Sequence, residues 1–371
     1  MKLQNKIIFV RADLWNTTPA IPKAVNAIVN KDISKIALEW KKSEKIKNSN
    51  ISGLYIRSFS KKLGKSKFCR LFLIFNFMFW VFKQFVNIRP SFIHCVSIYT
   101  LIPTYFYKLF YKNIKIIYEI RDPFALVITK NKLLQTFLWT IDKKLMNCVE
   151  FFILPNDFLF FYLKKNYDPK KVFISANYSP DIGYIKNNLN NRTKIHLGYF
   201  GYLSHNRGKK FIIDISRKFY DDVVIHLAGN VDLDFAKESK NAINIINHGI
   251  LSREDALNLM SSVDFNLILY DPKIKLHSYM LPIKFFDSCM LGIPVIVSKG
   301  MKILEKEIEN NYLGYIVKYN SVVSFEKVLK QIHKEENFSN RLRQYYLRNC
   351  NTNKFEADYK KFYKKILYEF D

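Results

Sequence analysis

The sequence predicts an α/β protein built from two doubly wound parallel-sheet domains. Short apolar runs typical of buried strands alternate with helical patterns through both halves of the chain. A polar, asparagine-rich stretch at residues 177–194 separates the two alternating patterns. The chain has 371 residues, of which 49% are hydrophobic, so each of two domains of ordinary size can bury a core.

Seven strands are predicted in the first half, because each is a short apolar run between more polar residues. They cover residues 6–10, 35–40, 54–57, 92–98, 114–120, 150–154 and 172–175. Thr17 and Thr18, followed by Pro19, predict the start of a first helix that ends near Val29. Further helices are predicted at residues 68–86, 104–111, 133–146 and 157–165.

The second half repeats this alternation. Its strands are predicted at residues 194–200, 223–228, 243–247, 265–269, 295–297 and 314–317, and helices at 208–218 and 252–261. We therefore predict a first domain over residues 1–178, a linker over 179–194 and a second domain over 195–340. The charged, aromatic tail at residues 341–371 is predicted to form an amphipathic helix, or a pair of helices, that crosses back to the first domain.

The charge balance narrows the class of partner. The chain has 59 basic and 32 acidic residues, a net charge of +27, which favours a polyanion: nucleic acid, an anionic membrane face or a phosphorylated substrate. The basic residues are spread along the chain without an RRM, KH or zinc signature, which argues against nucleic acid.

The five cysteines include no CxxC pair, and no signal peptide is predicted at the start.

An apolar run at residues 71–82, LFLIFNFMFWVF, is interrupted only by Asn76. It is too short for a spanning helix, which needs about 20 apolar residues. Two interpretations stay open: a helix in the domain core, or a helix in the bilayer interface with Trp80 and the phenylalanines inserted. The second is favoured by the basic residues just before the run, which are Lys61, Lys62, Lys65, Lys67 and Arg70.

Residues 281–298, LPIKFFDSCMLGIPVIVS, predict a helix that starts at Pro282, a stop at Gly292 and then a buried strand. Lys284 and Asp287 lie three residues apart and so share one helix face near its start. The free backbone N–H groups there favour an anion. This pattern suits a ligand that carries phosphates and hydroxyls, although both side chains also fit a solvent-facing helix.

Two earlier loops follow predicted strands, at the edge where open α/β sheets bind ligands. In the first, Gly201 permits a tight turn, and Arg207 and Gly208 stand at a helix start, where phosphate can bind. In the second, the backbone around Gly249 and Ile250 can approach a flat ring. Taken alone, the first loop also fits a surface loop with incidental basic residues, and the second is better explained as an ordinary turn between a strand and a helix.

In this order the three segments resemble the donor half of GT-B glycosyltransferases, specifically the retaining family-four group that uses nucleotide sugars. The family pattern G-x5-(K/R)-G matches Gly201 with Arg207 and Gly208. The pattern P-N-K-x-x-E-x-x-x-x-G-x-P-V-I is similar to residues 282–296. Residues 117–123 (IYEIRDP) resemble a segment of bacterial members that build surface polysaccharides, and residues 171–177 (KVFISAN) resemble the family's entry to the interdomain linker.

The resemblance implies two Rossmann-like domains facing across a cleft, with acceptor binding in the first and donor binding in the second. It implies transfer of a sugar from a UDP- or GDP-type nucleotide sugar to a hydroxyl of a glycan or lipid-linked acceptor, without a metal. Arg207 and Lys284 are expected to stabilise the leaving diphosphate, and Asp287 to hold the ribose. The other expected donor contacts are Gly201, Tyr202, Gly208, Gly249, Ile250, Tyr279 and Pro282.

The first domain is expected to contact the acceptor through Asp13, His94, Arg121 and Asp122, with Asp122 a candidate base. His94 also fits the alternative of a core histidine. Acceptors in this family are often lipid-linked sugars, and the net charge of +27 suits the membrane that carries them. We therefore expect a cytoplasmic protein that docks peripherally on the anionic inner face of the plasma membrane.

The sequence departs from the family pattern at three positions. Asp287 is one methylene shorter than the usual Glu, and Tyr279 replaces the first Glu of a Glu-x7-Glu pair that many members share. Tyr202 stands where many members have Arg. Two alternatives therefore remain: a sugar-nucleotide 2-epimerase of the same fold, against which residues 118–123 argue, and a catalytically silent nucleotide-sugar-binding homologue.

Overall fold

The structure is a computed structural model, and it divides into two compact units. Unit 1 comprises Met1–Asn177 and Asn353–Asp371, and unit 2 comprises Tyr178–Thr352. The residues that it describes are 6–13, 20–28, 32–42, 52–62, 64, 66–129, 131–156, 159, 163, 168–176, 181–183, 192–239, 242–332, 338–350 and 352–368. Most of the predicted linker and the predicted helix at 157–165, together with the Thr17–Thr18 cap, lie outside these residues.

Unit 1 is built on seven parallel strands. These are β1 (Lys6–Arg11), β2 (Ser34–Lys41), β3 (Tyr55–Ser60), β4 (Phe92–Val96), β5 (Lys115–Glu119), β6 (Phe151–Leu154) and β7 (Val172–Ile174). The helices between them are α1 (Ala20–Ala27), α2 (Lys67–Ile88), α3 (Ile98–Phe110), α4 (Phe124–Ile128) and α5 (Lys132–Met146). The strand order is β3-β2-β1-β4-β5-β6-β7, and each neighbouring pair is parallel.

Unit 2 is built on six parallel strands. These are β8 (Ile195–Phe200), β9 (Val223–Ala228), β10 (Ile245–Asn247), β11 (Phe265–Ile268), β12 (Val295–Ser298) and β13 (Gly314–Val317), in the order β10-β9-β8-β11-β12-β13. Its helices are α6 (Lys209–Lys218), α7 (Leu233–Glu238), α8 (Arg253–Ser261), α9 (Ile283–Leu291), α10 (Lys302–Asn311), α11 (Val322–Ile332) and α12 (Phe338–Asn349). Helix α12 packs on α9.

The last helix, α13 (Thr352–Tyr368), packs on the sheet of unit 1. The ring of Phe362 stacks on Phe173 of β7 and meets Phe151 of β6 edge-on. The hydroxyl of Tyr363 lies 2.7 Å from Nδ1 of His94 in β4. The end of the chain therefore completes the core of the unit in which the chain begins.

The predicted alternation of strands and helices is confirmed in both units, with one notable shift. Helix α3 was predicted at residues 104–111 but begins at Ile98, so β4 ends at Val96. Pro103 lies inside this helix and removes one N–H donor without ending it. The hydroxyls of Thr100 and Thr104 donate to carbonyls four residues earlier, which satisfies both buried side chains within the helix.

Both sheets reverse their strand order at one point. In unit 1 the reversal lies between β1 and β4, and in unit 2 it lies between β8 and β11. In open parallel sheets, ligands bind outside the carboxyl ends of the strands at such a reversal. The fold therefore places one candidate site in each unit, at the ends of these strand pairs.

Candidate functional site

The candidate site of unit 2 is assembled by close packing between loops at the carboxyl ends of its strands. Gly208 has a φ of 83°, and a Cβ there would lie 2.6 Å from Cβ of Leu269, just beyond β11. Gly229, which follows β9, has a φ of 138°, and its Cβ would lie 2.1 Å from the carbonyl oxygen of Gly201. Its N–H donates to the carbonyl of Gly249 at 2.7 Å. Glycines thus bring four loops into contact.

Two cations meet on one tyrosine at this reversal point. Cζ of Arg207 lies 5.3 Å from the ring centroid of Tyr270 and 5.9 Å from that of Tyr202. Nζ of Lys284 lies 4.3 Å from the ring centroid of Tyr199 and 5.2 Å from that of Tyr270. The structure therefore brings together the two cations that the sequence predicted from segments almost 80 residues apart, roughly the length of half a domain.

The positive charges of Arg207 and Lys284 lie close together without a carboxylate to balance them among the described salt bridges. Burial, followed by the charge of Arg207, lowers the pKa of Lys284 to about 7. No salt bridge in the described part of the chain pairs either Lys284 or Arg207 with a carboxylate. A partly buried positive site without a protein counter-ion is suited to an anionic ligand, because the ligand would restore the full charge of Lys284.

Backbone donors add to the positive character of the site. Helix α9 begins after Pro282 and α6 begins after Gly208, and neither start has a side-chain cap. Lys284 lies in the first turn of α9, and Arg207 directly precedes Gly208. The two helix starts and the two cations therefore present positive charge to the same region. The predicted helix start at Pro282, the stop at Gly292 (φ 72°) and the strand after it are confirmed.

Asp287 contacts the start of helix α8. Its carboxylate is 2% exposed, and both of its oxygens accept hydrogen bonds from the guanidinium of Arg253, one at 2.9 Å. Arg253 is the first residue of α8 and has a side chain that is 51% exposed. Lys284 and Asp287 lie three residues apart in α9, but they have different partners: Lys284 contacts Tyr199 of β8 and Tyr270 after β11, whereas Asp287 contacts the first residue of α8.

The other predicted donor residues lie around this centre. Tyr202 and Ile250 are exposed loop residues, and the N–H of Gly249 donates to the side chain of Asn247 at 3.0 Å. Tyr279 ends a 3-10 turn at Lys275–Tyr279, and its ring lies 6.0 Å from Nζ of Lys302. Tyr279 therefore lies beside a cation in the position where the family pattern has a carboxylate.

The candidate site of unit 1 centres on a carboxylate that the sequence analysis did not single out. Glu119 ends β5 and is buried, with its oxygens 2.7 Å from Arg121 and 3.1 Å from Nε2 of His94. Burial alone would raise the pKa of Glu119, but Arg121, His94 and Arg11 outweigh it and lower that pKa to about 2. Glu119 is therefore the counter-ion for the cations at the end of this sheet.

His94 has no exposed surface, because Tyr363 and Glu119 occupy both of its ring nitrogens. His94 is therefore a core histidine, as in the alternative interpretation, and does not reach an acceptor as predicted. Asp122 is exposed, and Asp13 is half-exposed with Nζ of Lys42 at 3.6 Å from its carboxylate. Of the predicted acceptor residues, Arg121 and His94 therefore belong to the network around Glu119.

Three histidines form a ladder across the sheet of unit 2. Nδ1 of His196 lies 2.8 Å from Nε2 of His226, and Nδ1 of His226 lies 3.1 Å from Nε2 of His248. Burial, followed by the charges of its two neighbours, lowers the pKa of His226 to about 4. These ring nitrogens face one another and do not converge on a metal. Among the described residues, no group of three or more His, Cys, Asp or Glu side chains is placed to hold one.

The sequence analysis missed four residues that shape the two sites. Tyr199 and Tyr270 support the cations of unit 2, Arg253 binds Asp287, and Glu119 anchors the network of unit 1. A charged residue at the end of an apolar strand was a signal for Glu119. The pairing of Arg253 with Asp287 has no local signal, because it joins residues of two different helices.

Comparison with solved structures identifies the architecture. Lipopolysaccharide outer core galactosyltransferase WaaB in its apo form matches with a TM-score of 0.62 at 14% identity, covering 98% of this chain and 99% of that chain. HepE from Anabaena in complex with UDP and glucose matches with a TM-score of 0.68 at 11% identity, covering 97% and 100%. The chain has the GT-B fold.

A third GT-B structure, sucrose-phosphate synthase from Thermosynechococcus elongatus, matches with a TM-score of 0.72 at 11% identity and covers 98% of this chain and 99% of that chain. No protein-family model and no curated protein sequence matches the chain. The likeness confirms the predicted fold class of two parallel-sheet α/β domains. At these identities it establishes the fold, and the function is argued from the site.

Proposed function

We propose that the protein is a retaining glycosyltransferase that uses a UDP- or GDP-type nucleotide sugar. Its acceptor is a hydroxyl of a glycan or lipid-linked sugar in bacterial surface polysaccharide synthesis. The observation that carries the proposal is the pair formed by Arg207 and Lys284 on Tyr270, at the strand reversal of unit 2. The UDP and glucose in the HepE structure, and the outer-core substrate class in the name of WaaB, support it by analogy of fold.

The two cations supply what the departure of a diphosphate requires. As the glycosidic bond to the diphosphate breaks, negative charge develops on the leaving oxygens, and fixed donors nearby lower the barrier. Arg207 can bind two phosphate oxygens with its planar guanidinium, whereas Lys284 acts as a compact point charge. The uncapped N-termini of α6 and α9 add backbone N–H donors.

Asp287 is assigned to the ribose hydroxyls. A carboxylate oxygen can accept more than one hydrogen bond, so Asp287 is of a residue type that can bind ribose hydroxyls as well as the guanidinium of Arg253. The side chain of Arg253 covers the carboxylate and is itself half-exposed, so a ribose reaches Asp287 by moving a surface side chain and not a core one. Arg253 and Asp287 together then orient the nucleoside end of the donor.

Acceptor contacts are assigned to Asp13, Arg121 and Asp122 of unit 1, with Asp122 the candidate base. The positive charge of Arg207 and Lys284 takes the place of a metal at the diphosphate, so the proposed reaction needs no divalent ion. The proposed location is the cytoplasm, with peripheral attachment to the inner face of the plasma membrane.

A nuclear magnetic resonance assay of the anomeric proton tests this function. The protein is incubated with UDP- and GDP-sugars and simple sugar acceptors, with and without a chelator. We expect a glycoside with the anomeric configuration of the donor, formed at the same rate with chelator. A product of opposite configuration would contradict retention, a 2-epimer without acceptor would indicate the epimerase, and tight nucleotide binding without turnover would indicate the silent homologue.

A further inference from the structure

Helix α2 presents two opposite apolar stripes. Phe77, Val81, Phe85 and Ile88 belong to the buried core of unit 1. On the other side Phe68, Phe72, Phe75 and Phe79 repeat at helical spacing, and each is between 61% and 86% exposed. Burial in the core explains the first stripe and leaves the second facing solvent.

Two neighbouring helices extend this exposed stripe. Phe106 and Phe110 of α3 are 51% and 73% exposed, and Leu133 and Phe137 of α5 are 83% and 61% exposed. Helices α2, α3 and α5 connect strands that follow one another across the sheet in the same direction, so right-handed crossovers place all three on one face. Helix α3 packs against both of the others. We call their exposed stripes the apolar face of unit 1.

The charges on these helices are almost all positive. They carry three Lys or Arg residues in α2, one in α3 and three in α5, against a single carboxylate, Asp142. Asp142 is buried, and burial raises its pKa to about 7, so it adds little negative charge to the surface. Lys83 follows Phe79 on the α2 stripe, and Lys144 follows Phe137 on the α5 stripe, and both are exposed.

A membrane-spanning role does not fit α2, although residues Phe68–Ile88 form a helix that is long and apolar enough to cross a bilayer. The helix connects two strands of one parallel sheet, β3 and β4, and Phe77, Val81, Phe85 and Ile88 on one of its sides belong to the core beneath. A helix fixed in this way can enter a bilayer only sideways, to the depth of its exposed rings.

We infer that the apolar face of unit 1 docks on the surface of a bilayer rich in anionic lipids, with the phenylalanine stripe of α2 inserted among the acyl chains. Lysines at the ends of the stripes then lie at the level of the headgroups, as basic side chains beside inserted aromatics do. An acidic partner protein would meet the charge but would not need four exposed phenylalanine rings in a row.

The surface differs from the sequence-based expectation in its inserting residues. Trp80, which the residue type alone would place in the interface, packs on Phe59 and Phe77 of the core. The inference deepens the proposed peripheral attachment to the membrane, on which it rests, and it uses no residue of the nucleotide-sugar site. Docking and transfer can therefore fail independently in experiments.

Co-sedimentation of the full chain with vesicles tests the inference. One set contains phosphatidylcholine alone, and the other contains phosphatidylcholine with phosphatidylglycerol. We expect binding to the anionic set that weakens with added salt. The double variant Phe72→Ser/Phe79→Ser should bind at least about tenfold more weakly, since each ring loses its burial in the acyl region. Lys83→Gln/Lys144→Gln should lose about fivefold per lysine in low salt.

The matched control is Ile243→Ser/Val323→Ser, which removes two exposed apolar side chains from unit 2 and should leave binding unchanged. An environment-sensitive fluorophore on Cys69, the exposed cysteine beside Phe68, provides a readout next to the stripe without altering any of its phenylalanines. Its emission should shift to the blue on anionic vesicles. Equal binding by wild type and the phenylalanine variant, no shift at Cys69, or self-association that the phenylalanine variant abolishes would each overturn the inference.

Discussion

Replacing Arg207 by alanine is expected to lower the turnover number of sugar transfer at least about 100-fold, the cost of losing one preorganised charge contact in the transition state. The reason is its position on Tyr270, at the strand reversal, next to a lysine that burial leaves only partly charged. The measurement is the steady-state rate of nucleoside diphosphate release at saturating donor and acceptor.

Two further variants separate this role from general effects on folding. Arg207→Lys keeps a charge but loses the planar guanidinium, so it should recover only part of the rate. Arg217→Ala removes an exposed arginine near the far end of α6 and should leave turnover within about threefold of wild type, as expected for surface changes. Wild-type turnover in a folded Arg207→Ala variant would remove Arg207 from the mechanism.

Replacing Glu119 by glutamine is expected to destabilise unit 1 by about 3–5 kcal/mol, because it leaves the charges of Arg121 and Arg11 without their buried counter-ion. For a unit of this size, a loss of about 3 kcal/mol corresponds to a fall of roughly 6–12 °C in the melting temperature. Scanning calorimetry of the full chain measures it, with unit 2 as the internal reference.

The control for Glu119 is Glu326→Gln in unit 2, a partly exposed carboxylate at the protein surface that pairs with Lys218 and Lys330. Exposed pairs contribute little, so that variant should change the free energy of unfolding by less than about 1 kcal/mol. The pKa of Glu119 is lowered when folded, so its stabilisation is present above the ordinary carboxylate pKa and is lost as pH falls towards about 2. Equal losses of unfolding free energy in Glu119→Gln and Glu326→Gln would contradict the account of the network around Glu119.

The sequence predicts most of the fold because the patterns that indicate strands and the residues that start and stop helices are local signals. Strand alternation, the helix start at Pro282 and the glycine stop at Gly292 depend on neighbouring residues, and the structure confirms them. Periodicity also carries the two stripes of α2. The sequence analysis grouped Trp80 with the phenylalanines, whereas in the structure its ring packs on Phe77, on the core side of α2.

The rest depends on contacts between distant parts of the chain. Tyr363 bonds His94 from the last helix, which is why an imidazole that looks available in the sequence lies in the core. Arg253 covers Asp287 from another helix, and Tyr270 unites two cations whose sequence positions say nothing about a shared ring. Such pairings arise from tertiary packing, so a single sequence contains no pattern for them.

The central claim, that Arg207 and Lys284 form the diphosphate site, is tested most directly by calorimetric titration with UDP and GDP at pH 8. With a pKa of about 7, Lys284 is about nine-tenths neutral there in the free protein, whereas the nucleotide phosphates, with a second pKa of about 6, are fully ionised. Binding of the nucleotide should therefore protonate Lys284.

Comparing buffers of different ionisation enthalpy should reveal uptake of close to one proton on binding. The variant Lys284→Arg, whose side chain is always charged, should bind the nucleotide without proton uptake. Nucleotide binding with no proton uptake, or with the same uptake in Lys284→Arg, would contradict the account.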